Sequence, residues 1–136
     1  MIKKLRAPPT WACILFLTVV PTAAIAANES LVGVVENSDA RFYIRAASTQ
    51  RSGQVVTFWQ IIDYKRPRQN KKGETYSSME QRVAIDCAAS SQTQLFVKVY
   101  SENLARGNLI AQGPLNRRDP IPKGTSLEQI RNFVCR

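Results

Sequence analysis

The chain has 136 residues, enough for one domain of modest size, and carries 19 Lys and Arg against 10 Asp and Glu, a formal net charge of +9. It contains three cysteines and no histidine. Without histidine the commonest general base, the Ser-His-Asp and Cys-His arrangements and most zinc sites are gone, so a hydrolase ranks behind a non-catalytic binding protein.

Residues 1–26 read as an export signal. Lys3, Lys4 and Arg6 form a basic start, residues 12–20 a short apolar run, and Pro21 breaks it before the small-x-small site Ala24-Ile-Ala26. The run is too short and too broken for a comfortable membrane span; an uncleaved anchor is the alternative. Cys13 precedes most of the apolar run, so no lipid anchor is expected. Cleavage after Ala26 leaves residues 27–136 as the domain. Without the three signal cations the formal charge falls from +9 to +6. A basic exported domain points to acidic partners, such as a protein ligand or an acidic glycan, although charge also serves solubility alone.

The elements follow in order. Residues 31–35 are a short apolar run. Residues 41–45 alternate, with Phe42 and Ile44 on one side and Tyr43 on the other. Ser52-Gly53 turns the chain into residues 54–64, a long β-rich stretch that is apolar on both sides: Val56, Phe58, Ile62 and Tyr64 against Val55, Trp59 and Ile61. A sheet with one wet face carries no such strand. Either loops cover the second side, or it waits for a partner through Trp59 or Phe58, the candidate homodimer contacts. Residues 65–74 read as a polar loop. Residues 76–88 return with Val83, Ile85 and Cys87 on one face, and residues 94–100 and 108–112 follow. β-Branched and aromatic residues, alternation and close turn signals predict an antiparallel meander.

The final element is a helix. Thr125-Ser-Leu-Glu128 is a capping box, in which the threonine hydroxyl takes a free backbone N–H and the glutamate reaches back. Leu127, Ile130 and Val134 form one apolar stripe. So short a helix is marginal alone and needs an apolar bed, most simply Val83, Ile85 and Cys87. Loss of Cys13 with the signal leaves Cys87 and Cys135, an even pair in an oxidising compartment, and hence a disulfide. The chain-entropy model gives such a bridge about 4 kcal/mol.

Asp63 and Asp86 carry no signature of a catalytic pair. The conspicuous surface feature is Lys65, Arg66, Arg68, Lys71 and Lys72, five cations in eight residues with no acid among them. Such a tip docks an acidic patch or sulfated glycan, or else it is solvated charge that guards a sheet edge. No base-stacking platform accompanies it, which argues against nucleic acid. No cofactor is implied.

Phe42-Tyr43-Ile44, Gly53, Phe58-Trp59, Tyr76-Ser77-Ser78, Ile85-Asp86-Cys87-Ala88, Pro122-x-Gly-x-Ser126 and Val134-Cys135 occur in that order. Together they resemble the bacterial surface-adhesin protein E family, over nearly all of the chain from Leu31 onward. The resemblance implies an α+β fold: a curved antiparallel sheet of about six strands with one C-terminal helix tied to its concave face by a disulfide. It also implies adhesion to host extracellular proteins and dimerisation, while the export signal points to the periplasm or the cell surface. The alternative function is a periplasmic structural or assembly accessory.

Overall fold

The computed structural model describes residues 30–136; the expected signal segment and Cys13 lie outside the described residues. Seven strands and one helix occur in the order β1 (Leu31–Glu36), β2 (Ala40–Arg45), β3 (Gln50–Ser52), β4 (Val55–Gln69), β5 (Thr75–Asp86), β6 (Ser91–Glu102), β7 (Arg106–Pro120) and α1 (Ser126–Val134). They form one antiparallel sheet ordered β1-β2-β4-β5-β6-β7, with the short β3 lying beside the first residues of β4 in line with β2. The meander is as expected, with β3 added to it.

Alternation divides the sheet into two faces. Ile44, Val56, Phe58, Val83 and Ile85 are at most 2% exposed and face α1, where Ile130 closes the cluster at 1%. Leu127, Phe133 and Val134 flank Ile130 on the helix, and Val34, Val35 and Phe42 extend the bed towards β1. Full burial of a side chain such as Ile130 contributes about 2 kcal/mol. Phe58 therefore belongs to the core beneath α1 and presents no surface of its own.

The capping box forms, with one adjustment. The Glu128 backbone N–H donates to the Thr125 hydroxyl at 3.3 Å, while the Glu128 carboxylate accepts from the Gly124 N–H at 2.7 Å, one residue further out than the cap itself. Gly124 has φ +75°, which glycine reaches without a steric penalty. At the other end, Cys135 is bridged to Cys87 with 5.8 Å between the Cα atoms. Arginines surround this end. Arg131 donates to the Cys87 carbonyl at 2.8 Å, and Arg51 on β3 donates to the carbonyls of Cys135 at 3.5 Å and Arg136 at 3.2 Å. Cations at a helix C-terminus satisfy carbonyls left over by the helix and oppose its dipole.

Three strands well exceed their expected length, among them β6, which spans Ser91–Glu102 where 94–100 was expected. Residues 65–69 continue β4 where a polar loop was expected. The register jumps from Asp63↔Ser78 to Arg68↔Tyr76, so Pro67 sits in a bulge where no ladder N–H is required of it. Strand β7 runs to Pro120, well beyond residues 108–112. Among the described residues it is an edge strand, paired only with β6, and an edge tolerates Pro114 and Pro120 because one of its sides needs no donor.

Candidate functional site

Continuation of β4 past Pro67 turns the five cations from a loop into an arm. Its tip is organised by Asn70. The Asn70 side-chain oxygen accepts from the backbone N–H groups of Lys72 and Glu74, each at 3.0 Å, and its amide nitrogen donates to the Glu74 carboxylate at 3.1 Å. Gly73 supplies the left-handed residue, with φ +80°. The root is held from two sides. The Lys65 N–H donates to the Asp39 carbonyl at 2.9 Å, and the Lys65 ammonium meets Glu36 at 2.6 Å. Asn103 donates to the Tyr64 carbonyl at 3.0 Å and to Asp63 at 2.9 Å.

The root residues respond electrically to this packing. Lys65 hydrogen-bonds and attracts the Glu36 carboxylate, and Arg41 adds to it, which holds Glu36 below the ordinary glutamate range. Burial pushes the Tyr64 phenol up, with Tyr76 adding to the shift and the Arg68 guanidinium, 4.3 Å from the Tyr64 ring, opposing it. Tyr64 and Tyr76 meet edge to face at 5.7 Å. Beyond this root, Arg66, Lys71 and Lys72 are exposed and form no ion pair among the described residues. All five predicted cations lie on the arm, but Lys65 and Arg68 are engaged at its root by Glu36 and the Tyr64 ring.

The sheet face away from α1 carries a second constellation. Glu80 is 5% exposed, and its two oxygens take Arg45 at 2.5 Å and Lys98 at 3.5 Å. Lys98 also lies over the Trp59 ring at 4.6 Å, and Trp59 meets Phe96 edge to face at 6.3 Å. Arg45, Trp59, Glu80 and Lys98 line an open cleft of about 330 Å³. Short 3-10 turns cover this face of β4 at both ends. Ser48 accepts from the Trp59 N–H at 2.9 Å, and Asp63, 5% exposed, accepts from the Leu104 N–H at 2.8 Å. Trp59 remains half-buried between them. Nothing in the sequence joins Arg45, Glu80 and Lys98; the strand register does, because long polar side chains recur on one face of adjacent strands.

An antiparallel sheet with one helix stapled to it, a projecting basic arm and an aromatic cleft defines a class of binding domain. The chain belongs to the surface-adhesin protein E family, whose pattern matches residues 30–136. Among solved structures it is similar to Haemophilus influenzae protein E in crystal form II. That match has 19% identity and a TM-score of 0.63, over 77% of this chain and 86% of the other. It is also similar to protein E from non-typeable Haemophilus influenzae, at 18% identity and a TM-score of 0.56, over 86% of this chain and 81% of the other. At these identities the structural likeness speaks for the fold. No curated protein sequence matches the chain.

Among the described residues no helix is long and apolar enough to cross a membrane. Nor does any group of three or more His, Cys, Asp or Glu side chains converge as metal ligands among them.

Proposed function

We propose that the chain is an exported, non-catalytic adhesive protein of the cell envelope that captures an acidic protein surface or acidic glycan with the β4–β5 arm. Residues 1–26 serve as its signal and residues 27–136 as the adhesive domain. The observation that carries this reading is the arm itself: five cations on a rooted hairpin, three of which, Arg66, Lys71 and Lys72, are exposed and form no ion pair among the described residues. Beyond Lys65 the arm is a two-stranded ribbon, because β2 pairs with β4 only as far as Tyr64 and β6 with β5 only from Ser78, so it stands clear of the rest of the sheet. The buried acids Asp63 and Glu80 are committed to hydrogen bonds and ion pairs within the fold, which supports a binding role over a catalytic one.

The test replaces Lys65, Arg66, Arg68, Lys71 and Lys72 together with Ser or Gln. Wild type should bind immobilised heparin or an acidic host protein and elute as salt rises, since exposed charges are screened over about 8 Å at physiological ionic strength. The variant should pass through the same column while keeping its circular dichroism spectrum. Equal retention of both proteins would reject the arm as the site.

One observation favours a second reading, that of an assembly accessory. Strand β7, 15 residues long, pairs on one side only and so offers its other side to an added strand. A homodimer contact is proposed for Trp59 alone, since Phe58 is buried.

A further inference from the structure

Beneath the first turns of α1 lies a groove of about 340 Å³ that the arm does not touch. Its lining comes from β2, β4, β5, β6 and the first turns of α1, with Phe42, Gln60, Gln81, Gln92, Gln94 and Leu127 as its main side chains. No lining residue carries a charge, although the chain as a whole is strongly basic. Four glutamines on three adjacent strands form its polar floor. Gln60 stands opposite Gln81 across β4 and β5, while Gln92 and Gln94 stand opposite Ile85 and Val83 across β5 and β6.

These amides are not ordinary surface glutamines. Gln60 is 3% exposed, Gln81 5% and Gln92 6%. The Gln60 nitrogen donates to the Gln81 oxygen at 3.1 Å, which commits one end of the Gln60 amide and leaves its carbonyl oxygen without a partner among the described residues. The Gln92 carbonyl oxygen is likewise buried and unpartnered. A buried acceptor left unpaired is destabilising, and pairing it needs a hydrogen-bond donor brought to the groove. The terminal torsion of glutamine is broad, so each amide can turn an oxygen or an NH₂ towards an occupant at small cost. Beside the amides on the same sheet face stand Phe42 and Ile62, paired across β2 and β4, and Leu127 adds an apolar side chain from the helix. Asn37 donates to the Ser126 hydroxyl at 3.0 Å and closes the end of the groove at the helix start.

We infer that this groove is a binding site for a neutral sugar, of mono- or disaccharide size. The required ligand brings hydroxyl donors to the orphaned amide oxygens, accepts from amide NH₂ groups, lays a C–H face against Phe42 and carries no charge. A pyranose meets all four conditions. The volume falls at the lower end of the range of small-molecule sites, about 300–1,000 Å³. The site is separate from the arm and goes beyond the acidic ligand proposed for it.

The test follows the side-chain amide resonances of nitrogen-labelled protein, residues 27–136 with the disulfide intact. The probes are lactose, maltose and N,N′-diacetylchitobiose, with a heparin disaccharide and an uncharged glutamine-containing peptide for comparison. At least one neutral disaccharide should shift the NH₂ signals of Gln60, Gln81, Gln92 and Gln94 saturably at millimolar concentration. Gln92→Leu should weaken that sugar by about tenfold, the effect of one lost hydrogen bond, without unfolding the protein. Gln94→Ala, at a less buried position, provides the same comparison should Gln92→Leu not fold. The five-cation arm variant should bind the sugar unchanged. The inference is overturned if no neutral disaccharide moves these signals, if only the acidic disaccharide or the peptide does, or if sugar binding survives the glutamine substitutions undiminished.

Discussion

The Cys87–Cys135 bridge is the most direct point at which to perturb this fold. The cysteines are 48 positions apart, and closing a loop of that size in the unfolded chain corresponds to about 4 kcal/mol in the entropy model. Small domains have total stabilities of about 5–15 kcal/mol, so the bridge is a large share. Replacing both cysteines with alanine should therefore lower stability by about 4 kcal/mol. With a urea m-value of about 2 kcal/mol/M, the unfolding midpoint should fall by about 2 M. Fluorescence and circular dichroism should report one shared transition, since Trp59 lies on the sheet and α1 contributes to the helical signal. Ile130→Ala, made in both backgrounds, should cost about 3 kcal/mol in the bridged protein by opening a cavity over Phe58 and Val83. In the unbridged protein the same change should release α1 altogether, seen as a loss of helical signal before the sheet unfolds. A double-alanine variant that loses under about 1 kcal/mol would refute the reasoning, because it would mean that packing alone fixes the helix.

Other expected outcomes concern single side chains. Asp63→Ala strands the Leu104 N–H and removes one of the two acceptors of the Asn103 amide, and should cost about 2 kcal/mol and speed hydrogen exchange at residues 103–105; unchanged exchange there would remove Asp63 as the anchor of that turn. Tyr64 should ionise at a higher pH than an ordinary tyrosine. Its folded value is raised, so its contribution to stability is complete below the unfolded value and is lost as pH rises through the folded one; ultraviolet titration of wild type against Tyr64→Phe checks this. For Glu36, held low by Lys65 and Arg41, the order reverses. Its contribution is present above the ordinary glutamate value and fades as pH falls through the lowered one, an effect that Glu36→Gln should erase from the acid limb of the stability curve. If Trp59 contributes to self-association, sedimentation should show dimers of wild type that Trp59→Ser weakens; a wild-type monomer at high concentration would leave Trp59 to Phe96 and Lys98 alone.

Period-two alternation made the faces of β2, β4 and β5 legible, because a strand inverts its side chains at every residue and one inverted face must be apolar. The capping box and the Leu127, Ile130, Val134 stripe located α1 for a similar reason, since helix ends and helix faces each impose a local pattern. The staple needed only the parity of the cysteines. What escaped was non-local. Residues 65–69 read as loop because Pro67 disfavours a regular strand, yet a bulge relieves the proline of its missing donor. Strand β3, three exposed residues, has no apolar pattern to find. Gln60, Gln81, Gln92 and Gln94 carried no signal in the sequence, since polar residues on an inward face become visible only when the register stacks them. Arg45 and Glu80 lie 35 positions apart in the chain, and only the pairing of β2, β4 and β5 brings them to one cleft.

The neighbour order of the sheet is nearly the order of the chain, and that has a bearing on how the protein assembles after export. Apart from the short β3, each strand pairs with the one synthesised just before it. A chain that emerges from a membrane pore amino end first meets each partner strand already present, and every pairing closes a short loop at small entropic cost. Only α1 must travel back, from beyond β7 to the bed between β1 and β5. The hairpins can form in succession during passage, while the apolar face of the sheet stays bare until the last element arrives. The vulnerable interval for such a chain is therefore the wait for its helix, and the arginines and prolines along β7 stand on the edge most exposed during that wait.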